Sequence, residues 1–301
     1  MNRHFIALGL ALAAVTALMP RAGASRSSDW SEPVNLGAII NTAYEDNAPA
    51  ISRDGLSLYF QSNRPGGIGL ANCDIWVARR ESVHHEWDWP ENLGSAINTE
   101  SCEFSPALSG NGHYLFFGRR PAGGVLDLWT SYRRDVRDAF GWTPAVPLGP
   151  AVNTDAAENT AEHFESRKHG LSQLYFYRSP GAIGGVDIYV ADAFGAATPV
   201  TELNTPFSDA GPTLSRDGLE IFFHSNREGT MGQSDLWTSV RPNVFARWSP
   251  PVNLGAVNSQ SNDTVPSLSS DGETLFFTSD RPGGFGVLDI YMTTRSKQRR
   301  H

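Results

Sequence analysis

The chain is poor in cysteine, in positive charge and in long hydrophobic runs, and each shortage removes a class of protein. Only Cys73 and Cys102 are present. Two thiols are half of what a structural zinc site wants, so no metal centre is expected. Lys and Arg number 24 against 32 Asp and Glu, for a formal net charge of −8. That balance argues against polyanionic partners such as DNA, whose binding rests on phosphate neutralisation by basic side chains. The apolar run Phe5 to Leu18 is too short to span a bilayer as a helix. The chain has no Gly-x-Ser-x-Gly elbow, no phosphate-cradling loop and no His-Glu-x-x-His, so the best-marked hydrolase, nucleotide and zinc-protease signatures are missing. No long amphipathic helical pattern is present either.

What is there begins with an export signal. Arg3, the apolar stretch Phe5 to Leu18 and the small residues Ala22-Gly23-Ala24 form the pattern of a secretory signal peptide over residues 1–24. The expected mature chain, residues 25–301, is a single domain in the periplasm or outside the cell. Losing Arg3 and Arg21 takes its net charge from −8 to about −10. In such an oxidising compartment Cys73 and Cys102 are expected to form a disulfide.

The mature chain repeats itself. The strand cores LYF, LFF, LYF, IFF and LFF end at Phe60, Phe117, Phe176, Phe223 and Phe277, followed by DIW, DLW, DIY, DLW and DIY starting at Asp74, Asp127, Asp187, Asp235 and Asp289. Those aspartates lie 53, 60, 48 and 54 residues apart. Short strands at that period, separated by Asp-Gly and Pro-Gly turns, predict an all-β fold, a five-bladed β-propeller with four antiparallel strands per blade. A strand-like segment from Trp30 to Gly37 precedes the first repeat and none follows the last. The N-terminal strand is therefore expected to complete the last blade and close the ring, leaving short edges. Its relatives are the segments beginning at Trp89, Trp142 and Trp248.

The pattern S-x-D-G-x-x-L-x-F-x-S-[ND]-R-x-G-G-x-G followed by D-[IL]-[WY], met best at Ser52 to Gly69 with Asp74-Ile-Trp76 and at Ser269 to Gly286 with Asp289-Ile-Tyr291, resembles the TolB-type, WD40-like β-propeller repeats of exported bacterial proteins. The resemblance covers nearly all of the mature chain. It implies a propeller of the kind found in envelope complexes and brings no catalytic motif with it.

Aligning the repeats puts an acid at the head of every innermost strand: Asp46, Glu103, Glu158, Asp209 and Asp263. Five carboxylates at a channel mouth could serve a cationic ligand, a calcium ion or glycosidic acid–base chemistry. Each hairpin also ends with an arginine, Arg64, Arg120, Arg178, Arg227 or Arg281, so the alternative is a set of structural ion pairs. The recurrent Asn41, Asn98, Asn153, Asn204 and Asn258 are read as turn formers, and the DIW-type aromatics as packing between blades.

The third repeat departs most from the pattern, placing Glu158, Glu162, His163 and Glu165 in one stretch without an Asp-Gly turn. Glu103, Glu158, His163 and Glu165 are accordingly the candidate catalytic residues. His224, Tyr44, Phe104 and Phe207 join the five acids as candidate ligand contacts on the face of the loops that enter each blade, here called the top. The expected function is a binding module, monomeric and without a cofactor, that takes a protein, a peptide or a cell-envelope glycan on its top face. The alternative is a carbohydrate-active hydrolase or lyase using carboxylates at the channel mouth.

Overall fold

The computed structural model describes residues 30–68, 73–121 and 123–296, so the expected signal peptide lies outside the described residues. Five four-stranded antiparallel sheets form a five-bladed propeller. The innermost strands are β2 (Asp46–Ile51), β6 (Cys102–Leu108), β10 (Ala157–Ser166), β14 (Asp209–Leu214) and β18 (Asp263–Leu268). Their hairpin partners are β3 (Ser57–Ser62), β7 (Tyr114–Arg120), β11 (Leu171–Ser179), β15 (Glu220–Ser225) and β19 (Thr274–Ser279). The DIW-type strands are β4 (Asp74–Arg79), β8 (Asp127–Tyr132), β12 (Asp187–Asp192), β16 (Asp235–Val240) and β20 (Asp289–Thr294). Each sheet ends in a two-residue strand: β5 (Glu91–Asn92), β9 (Val146–Pro147), β13 (Thr198–Pro199), β17 (Val252–Asn253) or β1 (Val34–Asn35).

The ring closes as the repeat count requires. β1 pairs with β20 through Val34–Met292 and Asn35–Tyr291, and Trp30 bridges Arg295 beyond it. The innermost strands touch in sequence, and β18 returns to β2. The core lies between blades. Phe60, Phe117, Phe176, Phe223 and Phe277 are all fully buried, each worth roughly 1.5–3 kcal/mol relative to exposure.

Four blades share a latch that the repeat pattern did not reveal. In these blades the arginine immediately after the DIW-type strand donates Nε to the carbonyl of its own hairpin-turn glycine: Arg80 to Gly55, Arg133 to Gly112, Arg241 to Gly218 and Arg295 to Gly272. Each guanidinium also lies over a tryptophan at 4.1–4.5 Å: Trp87, Trp142, Trp248 or Trp30. In the first blade that tryptophan is Trp87, not Trp89. Trp89 is 71% exposed, because the WDWP sequence offers two tryptophans and only Trp87 keeps the five-residue spacing to the outer-strand Asn92.

Candidate functional site

The five acids are sealed into the scaffold. Asp46, Glu103, Glu158, Asp209 and Asp263 are all 0% exposed. Each carboxylate accepts bonds from the backbone N–H and the hydroxyl of the residue four before it, Thr42, Thr99, Thr154, Thr205 or Ser259. Each is also paired with an arginine: Arg64, Arg119, Arg178, Arg227 or Arg281. That arginine donates to the carbonyl of the residue before the recurrent Asn, as Arg64 does to Ile40 and Arg178 to Val152. The acid's own N–H reaches back to the preceding blade, Asp46 to Leu288 and Glu103 to Cys73 among them. One residue thus joins two blades and an entry loop.

The partner of Glu103 is Arg119, not the expected Arg120. Glu103 lies directly opposite Arg119 in the β6–β7 register, as Glu158 does opposite Arg178. The shorter Asp46 lies opposite Ser62 instead, and binds that hydroxyl and the arginine two residues on. In the two Glu blades the arginine itself occupies the register position of that serine. Burial pushes the Glu103 carboxyl up, partly offset by the Thr99 and Arg119 bonds.

The recurrent asparagines do more than form turns. Asn41, Asn98, Asn153, Asn204 and Asn258 each accept the N–H and bind the C=O of one DIW-strand residue: Ile290, Ile75, Leu128, Ile188 or Leu236. The side-chain amide stands in for a strand where the outer strand has ended. Asp74, Asp187, Asp235 and Asp289 accept amides from the loop before their own strand, as Asp187 does from Ile183 and Gly184.

The disulfide is formed between Cys73 and Cys102. Cys73 precedes Asp74 and Cys102 precedes Glu103, the same positions that make parallel bridges at other junctions, Val186–Ser208, Ser234–Asn262 and Leu288–Glu45. The first junction is therefore the others' bridge made covalent. Such a bond fits an oxidising, extracytoplasmic location. Among the described residues, no group of three or more His, Cys, Asp or Glu side chains could hold a metal ion. No helix among them is long and apolar enough to cross a membrane.

The space for a ligand lies elsewhere, on the propeller axis. A cavity of about 450 Å³ is lined by the second half of every innermost strand and by the hairpin turns that follow, on the face opposite the entry loops. The innermost strands are bent to make it. Ala48, Ser105, Thr160, Gly211 and Val265, each two residues after its acid, all have positive φ, between 44° and 64°. The pairing register slips there in every blade, as between Asn47 and Ala50. Pro49, Pro106, Pro212 and Pro266 follow immediately in four blades, where a missing N–H is harmless on an inner edge. Non-glycine residues so placed store roughly 1–3 kcal/mol each, and such strain concentrates at functional sites. In the fourth blade the residue is glycine because His224 fills the space: a Cβ on Gly211 would lie 2.6 Å from its Nδ1.

Blade three sets the character of this cavity. Glu162 occupies the position held by Ala50, Ala107, Thr213 and Ser267 in the other blades. The hydroxyls of Ser267 and Thr213 accept the N–H of Ile51 and Leu268 in the next blade, and Glu162 has the same bond from Leu214. Burial pushes its carboxyl up to about 8, with that backbone bond a lesser, opposite influence, so it is largely protonated at neutral pH. A raised folded-state value means stability present below the ordinary 4.5 and lost as pH rises through 8. Between pH 5 and 9 the wild type is expected to lose about 2 kcal/mol relative to Glu162→Gln, a figure reduced for solvent in the cavity. Urea unfolding at intervals of half a pH unit measures it.

The remaining predicted residues divide by position. Glu165 also lines the cavity and stands 3.7 Å from Arg167. The His163 ring packs against Phe116 and Phe194, at 5.6 and 5.8 Å, in a cluster where those two rings also meet at 5.9 Å, and its Nε2 is 3.0 Å from the Ser172 hydroxyl. Burial lowers its pKa, opposed by Glu165. His224 lies between blades four and five, its Nδ1 accepting the Val265 N–H, as Thr278 accepts that of Ala48. Burial lowers its pKa to about 4 against a smaller opposing influence of Asp209. Tyr44 and Phe207 are 45% and 40% exposed in entry loops, and Phe104 lies beneath Arg120 at 5.9 Å. Neither these aromatics nor the five acids line the axial cavity. The one signal in the sequence for Glu162 was its place in the divergent third repeat.

No protein-family model matches the chain, and no curated protein matches it. Solved structures do. An alpha-L-arabinofuranosidase from Lactobacillus brevis matches at TM-score 0.58 and 14% identity, over 88% of this chain and 94% of its own. An endo-arabinase from Bacteroides thetaiotaomicron matches at 0.56 and 13%, over 89% and 99%. A TolB-designated protein from Agrobacterium tumefaciens matches at 0.50 and 18%, over 87% and 83%. At these identities the likeness is one of fold, which the chain shares with glycoside hydrolases and with TolB alike.

Proposed function

We propose that this is an exported glycan-binding propeller whose ligand occupies the axial cavity on the hairpin-turn face. The observation that carries the reading is the division of the carboxylates. All five acids at the heads of the innermost strands are buried and paired, whereas a cavity of about 450 Å³ gathers hydroxyls, backbone and Glu162 from all five blades. Its volume is that of a small-ligand pocket. A protonated carboxyl and hydroxyls such as those of Thr213 and Ser267 are groups that bind sugar hydroxyls without demanding charge. The Cys73–Cys102 disulfide supports export.

A second reading, a glycoside hydrolase, is favoured by Glu162 itself. A general acid must be protonated at working pH, and the same cavity holds a second, exposed carboxyl group in Glu165. The arabinofuranosidase and endo-arabinase neighbours supply precedent on the same fold. One experiment separates the readings: a panel of plant, algal and peptidoglycan oligosaccharides incubated with the protein, each followed by mass spectrometry. Retention without change of mass is expected. A mass change abolished in Glu162→Gln would make this an enzyme, and no retention across the panel would remove the glycan reading.

A further inference from the structure

The charges around the cavity do not match those of the chain. The protein as a whole is acidic, at −8, yet three arginines line this one cavity: Arg53 from the first hairpin turn, Arg167 from the third and Arg216 from the fourth. Each is exposed. Against them the lining holds two carboxyl groups, Glu165 and Glu162, and burial pushes the second up to about 8. Three arginines against two carboxyl groups leave the lining net positive in an acidic protein. The neighbouring turn aspartates point into their own turns: Asp54 Oδ1 accepts from the Ser52 hydroxyl and the Leu56 N–H, and Asp217 Oδ1 from the Ser215 hydroxyl and the Leu219 N–H. Arg53 makes one long bond, 3.4 Å, to the Gly110 carbonyl. Its guanidinium, like those of Arg167 and Arg216, has donors to spare.

We propose that the axial cavity takes an acidic oligosaccharide, a short chain of uronic acid residues, entering by the hairpin-turn mouth with its carboxylates on Arg53, Arg167 and Arg216. This rests on the glycan reading above and narrows it to one chemical class. Guanidinium forks match carboxylates in geometry as well as charge. Deeper in, the uncharged hydroxyl lining and the protonated Glu162 meet ring hydroxyls. An extended acidic peptide is the poorer fit. Peptides gain affinity by adding a strand to an open sheet edge, and the inner edges here are broken by the bulges and by Pro49, Pro106, Pro212 and Pro266.

The test titrates the protein with trigalacturonate, with neutral cellotriose and with a hexa-aspartate peptide by calorimetry, at 50 and 300 mM salt. Trigalacturonate is expected to bind at least tenfold more tightly than cellotriose and to weaken with salt. The Arg53→Gln/Arg167→Gln/Arg216→Gln variant, altered only on exposed turns, should lose at least tenfold for trigalacturonate with an unchanged melting temperature. Glu165→Gln, which removes the opposing charge, should tighten it several-fold. Equal binding of cellotriose, or an undiminished triple variant, overturns the acidic class and leaves the glycan reading standing. Binding of none of the three overturns the acidic class, and binding of hexa-aspartate in preference to both sugars overturns the glycan reading with it.

Discussion

Arg227→Met is expected to destabilise the protein by about 3–5 kcal/mol, because it leaves a carboxylate buried and short of its counter-charge. Asp209 is fully buried and bound by Arg227, the Ser225 hydroxyl, the Thr205 hydroxyl and the Thr205 N–H. Removing the guanidinium leaves those neutral donors but no charge to repay desolvation. It also frees the Leu203 carbonyl that Arg227 holds. The exposed pair Arg79–Glu91 provides the contrast. Its contact is also within hydrogen-bond distance, at 2.8 Å, but its side chains are 45% and 56% exposed, so Arg79→Met should cost less than about 1 kcal/mol. Urea unfolding of both variants tests the difference. Equal, small losses would mean that the acid ring is not part of the scaffold.

The second large effect belongs to the disulfide. Cys73 and Cys102 are 29 residues apart in sequence, and closing a loop of that length restricts the unfolded chain by about 3–4 kcal/mol. The Cys73→Ser/Cys102→Ser protein should therefore unfold at clearly lower urea concentration. Its fold should persist, because the junction keeps the backbone bond from Glu103 N–H to the Cys73 carbonyl that the four other junctions manage with alone. Wild type under reducing conditions should match the double variant. A double variant as stable as the oxidised wild type would show that the bridge adds nothing to the parallel contact beneath it.

The fold was legible in the sequence because it is periodic. Five DIW-type aspartates and five LYF-type cores mark both the number of blades and the strands between them, and a strand before the first repeat implies the closure that β1 and β20 make. The acid–arginine pairing was legible by counting from each turn, and failed only at Arg120, where two arginines stand side by side and Arg119 holds the position directly opposite Glu103. The site was harder to read. Positive φ at Ala48, Ser105, Thr160 and Val265 has no residue signature, since none is glycine, and the proline after three of them marks the bend only in retrospect. Glu162 stood among the polar residues of the third repeat, but its raised pKa comes from burial, which depends on how the blades assemble and which no local pattern encodes. Arg53, Arg167 and Arg216 carry no mark in the repeat pattern, and only closure of the ring brings their hairpin turns to one cavity.

The central claim is that ligand enters at the hairpin-turn face and that the acid ring is scaffold. Hydrogen–deuterium exchange with and without saturating trigalacturonate tests it most directly. Protection is predicted in residues 160–167, 211–216 and 265–270, with no change in the entry loops 41–46 and 204–209. Protection confined to those entry loops, around Tyr44 and Phe207, would contradict the account and return the binding site to the opposite face.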